Sequence, residues 1–133
     1  MKIVVEGKPM GKQRPRFNSK TGSVHTPSKT VNYENWVKLC YQQQCKGEKL
    51  TGKITANIMA YYPIPKNTSK IKKHYMLLGI ERPTKKPDVD NITKVVLDSL
   101  NGLAYDDDKQ IVSCCISKWY GENPRVEVIL EEA

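Results

Sequence analysis

The sequence predicts a single-domain α+β fold, a sandwich of a mixed β-sheet packed with helices in the order β-α-β-α-β-β, and three observations carry it. At 133 residues the chain is long enough to bury one core and too short for two ordinary domains. Its segments switch between strand-like and helical periodicity. A helical crossover between early strands, followed by two closing strands, implies a sheet with both parallel and antiparallel neighbours.

The first strand is expected over Lys2–Glu6, rich in β-branched residues and ended by Gly7 and Pro9. Residues 7–29 hold three glycines and three prolines among Lys8, Lys12, Arg14, Arg16 and Lys20, a composition for a basic flexible surface loop. A helix begins near Ser28 or Thr30 and stops near Gly47, with Val31, Trp36, Leu39, Cys40 and Tyr33 as its candidate apolar face. Gly52–Pro63 alternates as a strand, with Ile54, Ala56, Ile58 and Ala60 on one side. Lys66–Gly79 fits a short basic helix presenting Ile71, Tyr75 and Leu78, or a loop. Asp90 is a typical N-cap for the next helix, in which Ile92, Val95, Val96, Leu100 and Leu103 recur at helical spacing. Gln110–Tyr120 and Arg125–Glu131 read as strands joined across Gly121–Pro124 into a hairpin. No internal repeat, linker or low-complexity segment interrupts the single domain, 1–133.

No apolar run approaches the roughly 18 to 20 residues of a membrane span. The apolar stretch within Met1–Glu6 is too short for a signal-peptide core, so the cytoplasm is the expected location. Cys40, Cys45, Cys114 and Cys115 lack zinc-ligand spacing and read as reduced structural thiols. The net charge of +8 favours a polyanionic partner. Its distribution says more: seven Lys or Arg against Glu6 up to Lys29, and seven against Glu81 from Lys66 to Lys86. From Pro87 to Gln110 the balance reverses, with six aspartates against Lys94 and Lys109.

Asp88 and Asp90 are two apart, and in an extended segment they project to one side, where both could ligate one ion. Lys94 follows one helical turn after Asp90, and Asp98 a turn later on roughly the same face. The chain then turns at Asn101-Gly102 and returns through Asp106, Asp107 and Asp108, which can bring a third carboxylate to the pair. Two carboxylates about 4 Å apart repel by roughly 4 kcal/mol at an effective dielectric near 20, so convergence calls for a cation. Magnesium suits oxygen ligands and phosphate, and Lys94 would add a positive charge toward a phosphoryl transition state. Singly, each feature has a structural explanation: a cap, an i,i+4 pair worth about 0.2–0.5 kcal/mol, a solvated turn. A calcium-loop pattern fails, since Ile92 stands where a third ligand belongs.

The string Pro87-Asp88-Val89-Asp90-Asn91-Ile92-Thr93-Lys94, with Asp98-Ser99-Leu100-Asn101-Gly102 and Asp107-Asp108-Lys109-Gln110, resembles the signature of the RusA family of Holliday junction resolvases. Lys12-Gln13-Arg14-Pro15-Arg16 also resembles a basic segment of many members. The resemblance implies a RusA-like fold and a homodimeric, magnesium-dependent endonuclease, with manganese as a substitute. Such an enzyme resolves four-way DNA junctions by paired nicks in recombination and repair and is often prophage-encoded. It implies Asp88, Asp90, Asp108 and Lys94 as the catalytic set, the three aspartates holding metal, with Asp107 the alternative to Asp108. Asp98 is assigned to helix structure or to support of the site. Phosphate contacts are expected from Lys12, Arg14, Arg16, Lys72, Lys73, Lys85 and Lys86. Phe17 could stack on an opened base or anchor its loop. Two rivals remain: a nuclease-inactive, structure-selective DNA-binding module, and a metal nuclease acting on other branched DNA or RNA.

Overall fold

The computed structural model describes residues 1–25 and 27–133, with the side chain of Arg16 also outside the described set. Strand β1 is Lys2–Glu6, and a small hairpin follows from β2 (Arg16–Phe17) and β3 (Val24–His25). Helix α1 spans Ser28–Cys45, β4 Ile54–Pro63, α2 Lys70–Leu77 and α3 Val89–Leu100. A 3-10 turn at Asp108–Gln110 leads into β5 (Ile111–Gly121), and β6 (Arg125–Glu132) ends the series.

The four long strands form one mixed sheet in the order β1-β6-β4-β5, the α+β architecture that the periodicities predict. Only the β4–β5 pair is parallel. The expected hairpin between the last two strands does not form, because β4 lies between them. Burial explains the order. Val126, Val128 and Leu130 of β6 are fully buried, as are Ile58, Ala60 and Tyr62 of β4, whereas β5 is exposed over Val112–Cys115 and only half-buried over most of the rest. A strand with a complete apolar face gains most at the sheet centre, each fully buried Val or Ile contributing roughly 1.5–3 kcal/mol. The three-residue connection at 122–124 therefore steps past the end of β4 instead of closing a hairpin.

Ile3 and Val5 of β1 stand opposite Val128 and Val126 and extend the same face. Tyr33, Val37, Cys40 and Tyr41 of α1 and Ile92, Val95, Val96 and Leu100 of α3 complete the core. The apolar face assigned to α1 is partly corrected: Tyr33 and Cys40 are buried, but Val31, Trp36 and Leu39 are exposed. Lys70–Leu77 is helical, capped by Ser69, whose hydroxyl accepts the Lys72 N–H at 3.2 Å. Its inward residue is Met76, and Ile71, Tyr75 and Leu78 face solvent. No helix among the described residues is long and apolar enough to cross a membrane.

Candidate active site

Helix α3 carries one face into the core and the other over β5. On the outer face Asp90, Lys94 and Asp98 follow one another at one-turn intervals, as helical spacing dictates. They line an open groove with Val89, Thr93, Leu97, Asp108 and, from β5, Cys114 and Ile116. Gly102, at φ +79°, makes the turn that starts the return toward Asp108, a backbone conformation a side chain would strain.

The three successive aspartates have three different surroundings. Asp106 pairs with Lys49 at 2.8 Å on the exterior. Asp107 caps the 3-10 turn, accepting the Lys109 N–H at 2.9 Å. That hydrogen bond holds its carboxyl below the usual range. Asp108 faces the groove, with its backbone N–H on Asn101 Oδ1 at 3.1 Å. Its carboxyl is pushed above the ordinary carboxylate range, first by desolvation, then by Asp107 and by the negative charges of Asp107 and Asp98. Buried Tyr105, its hydroxyl on Leu97 O at 2.6 Å, is raised by burial and then by the charges of Asp108 and Asp98. Asp98 and Asp108 thus act on one ring.

The predicted geometry of Asp88 and Asp90 is corrected. Asp88, not Asp90, occupies the N-cap position, although its side chain makes no capping bond. Asp90 lies inside the first helical turn, so the two side chains leave the backbone from different conformations and not from one extended segment. Asp88 lines a separate depression with Gly11, Lys12, Arg14, Lys86 and Asn91. Below it, buried Tyr62 donates its hydroxyl to Pro87 O at 2.6 Å, and its phenol is pushed up to about 12, first by burial and then by Asp88. Lys118 Nζ donates to Lys85 O at 2.6 Å and lies 5.0 Å over the Tyr62 ring.

The basic loop reaches this helix directly. Lys12 Nζ meets Asp98 Oδ2 at 2.7 Å, and Lys12 N–H donates to Asn91 O at 3.2 Å. That hydrogen-bonded pair raises the Lys12 ammonium above its ordinary value. Gly11 runs so close to α3 that a Cβ there would meet Pro87 Cβ at 2.8 Å and Asn91 Cβ at 2.9 Å. Arg14 and Lys86 flank the depression beside Asp88, and Lys85 Nζ lies 5.9 Å over Tyr120. Lys72 and Lys73 are paired elsewhere, with Glu81 at 3.4 Å and Glu122 at 3.3 Å. The Arg16 side chain lies outside the described residues.

A helix bearing acids and a lysine faces a returning acidic turn and is strapped by a basic loop, and a family match spans all of these parts. The family model described as endodeoxyribonuclease RusA matches residues 6–131. The chain belongs to the RusA family. It is also similar to the uncharacterized protein YqaN of Bacillus subtilis (strain 168), with 41% identity over 136 residues, covering 99% of this chain and 96% of that protein.

In this RusA chain the sequence pattern alone did not reveal Lys12 as the partner of Asp98, Tyr62 and Lys118 as supports of the turn before Asp88, or Asn101 as the acceptor for Asp108. Each contact except Asn101–Asp108 joins residues more than 20 positions apart, so no local spacing encodes it. Among the described residues, no three Asp, Glu, His or Cys side chains are gathered closely enough to hold an ion on their own. The groove nevertheless fits a hard divalent cation. Its donors are carboxylate oxygens, the Asp108 carboxyl is raised by desolvation and then by the negative charges of Asp107 and Asp98, and an open face leaves room for water and phosphate ligands.

Proposed function

We propose that this chain is a divalent-metal-dependent endonuclease that resolves four-way DNA junctions by paired phosphodiester hydrolysis, acting as a homodimer in DNA recombination and repair. The observation that supports it best is the α3 groove, where Asp90, Lys94 and Asp98 face Asp108 beside a basic loop.

Asp90 and Asp108 are the proposed groove ligands, and the family resemblance adds Asp88 from the cap side of α3. Magnesium, or manganese in its place, supplies Lewis acidity toward a phosphate and activates water. Lys94, which lines the groove, would offset charge developing on the phosphoryl oxygens or the leaving oxygen. Lys12 pairs with Asp98 and fixes the basic loop against α3. Arg14 and Lys86 line the depression on the Asp88 side, suited to backbone phosphates, with Lys85 next to Lys86 in the chain. Residues 2–29 supply charge without sequence readout, so binding should fall steeply with salt.

Asp90→Asn is the deciding variant. It is expected to lower magnesium-dependent cleavage of a synthetic four-way junction by at least about 100-fold, with junction binding kept or strengthened because a repulsive charge is removed. Unchanged cleavage rejects the site. Binding without cleavage by the unaltered chain, with magnesium or manganese, supports a DNA-binding module instead. Equal cleavage of flaps, linear duplex or structured RNA removes the junction assignment. Sedimentation showing a monomer at assay concentrations removes the paired cut.

A further inference from the structure

The stretch 7–33 contains six Lys or Arg and no acid. Within it β2 and β3 pair at two positions only, Arg16 with His25 and Phe17 with Val24. The turn closing them is ordered by Asn18, whose Oδ1 accepts the Lys20 N–H at 2.9 Å and whose carbonyl accepts the Gly22 N–H at 2.7 Å. Phe17, the sole phenylalanine, is 67% exposed, and Val24 opposite it is 65% exposed. Phe17 therefore does not anchor the loop to the body. A cross-strand apolar pair ordinarily stabilises a sheet by packing, and an isolated two-stranded ribbon is marginal in water. Here the pair is presented outward, and a cleft of about 640 Å³, lined in part by Gln13, His25, Lys29 and Asn32, separates the hairpin from α1.

The hairpin is nonetheless tethered to the groove. Lys12 is fixed on Asp98 and Asn91, and Phe17 follows five residues later, which limits the span between them to about 18 Å. At about 3.4 Å per nucleotide, that places the ring within roughly five nucleotides of a phosphate in the groove.

We propose that the β2–β3 hairpin is a base-contacting finger, in which Phe17, backed by Val24, stacks on a base left unpaired near a DNA branch while Arg14 and Lys20 hold flanking phosphates. The acid-free, basic surroundings favour DNA as the occupant over a protein surface. Fully paired duplex offers such a ring no free base face, so the finger favours branched over linear DNA. The inference rests on the nuclease reading for its substrate.

The test uses the whole chain with four-way junctions that carry single 2-aminopurines beside the branch, in metal-free buffer. The unaltered chain should change the fluorescence at one or two positions. Phe17→Ala should lose that change and weaken junction binding about tenfold, with linear duplex affinity altered less than about twofold. Phe17→Trp should retain both signals, and the exposure of the ring leaves the melting temperature of either variant nearly unmoved. Unaltered fluorescence and affinity in Phe17→Ala overturn the finger. So do equal losses on junction and duplex, or a change in sedimentation alone, which would mark the pair as a contact between copies. Asp90→Asn separates the two readings. If it abolishes cleavage while Phe17→Ala behaves as the unaltered chain, the finger alone falls; if it still cleaves while Phe17→Ala loses the base signal, the catalytic assignment alone falls.

Discussion

Residues 2–29 and 66–86 carry the same charge balance, seven lysines or arginines against one glutamate, yet the fold uses them differently. In the second segment Lys72 and Lys73 are matched to Glu81 and Glu122 around a short helix whose apolar residues Ile71 and Tyr75 face outward. In the first, Lys2 pairs with Glu127 on the sheet and Lys12 with Asp98 at the acidic groove, while Arg14 and Lys20 stand on a loop and hairpin with no acid in their own stretch. Composition states how much charge a segment has. Only the pairing states whether that charge is open to another polyanion.

The largest effect that would sharpen this contrast is expected from Lys12→Met. Releasing the strap from α3 should lower junction cleavage by about 100-fold, the cost of a small displacement at a reacting site, while Lys12→Arg restores part of the rate. Cleavage within a factor of two of the unaltered chain would make Lys12 no different from an α2 lysine. Next, Arg14→Ala should weaken junction binding about three- to tenfold and reduce the salt slope by about one, read by fluorescence anisotropy across a salt series. The double variant Lys72→Ala with Lys73→Ala should change affinity less than about twofold, since exposed ion pairs already engage both ammonium groups. A loss larger than that of Arg14→Ala would reverse the comparison.

The smallest effect lies on the acidic side. The folded Asp108 carboxyl titrates above its unfolded value, so the stability it contributes is present below that unfolded value and lost as pH rises through the folded one. Asp108→Asn should therefore raise Tm at pH 7, by less than about 2 °C because solvent screens the site, and leave it unchanged near pH 3. A lower Tm at pH 7, measured by circular dichroism, would contradict the charge crowding inferred for the groove.

Much of the fold was readable along the chain. The alternation of Ile54, Ala56, Ile58 and Ala60 and of Val126, Val128 and Leu130 marks two strands because a half-buried strand has period two. Their pairing was not readable: a short Gly-to-Pro connection normally closes a hairpin, and only three-dimensional burial sends β4 between β5 and β6. The sharing of one face by Asp90, Lys94 and Asp98 was legible for the same kind of local reason. A two-residue difference in where α3 begins was enough to move Asp88 into a different depression. Which of three adjacent aspartates faces the groove depends on a 3-10 turn and on Asn101, neither of which has a spacing rule that decides it.

The place of β6 has a consequence for synthesis. It is the last of these elements to leave the ribosome, and β1 and β4 have no contact in the sheet except through it. Until β6 emerges, β1 has no strand to pair with, and the core lacks Val126, Val128 and Leu130. A nascent chain paused before that point thus carries every proposed catalytic residue on a sheet that has yet to close.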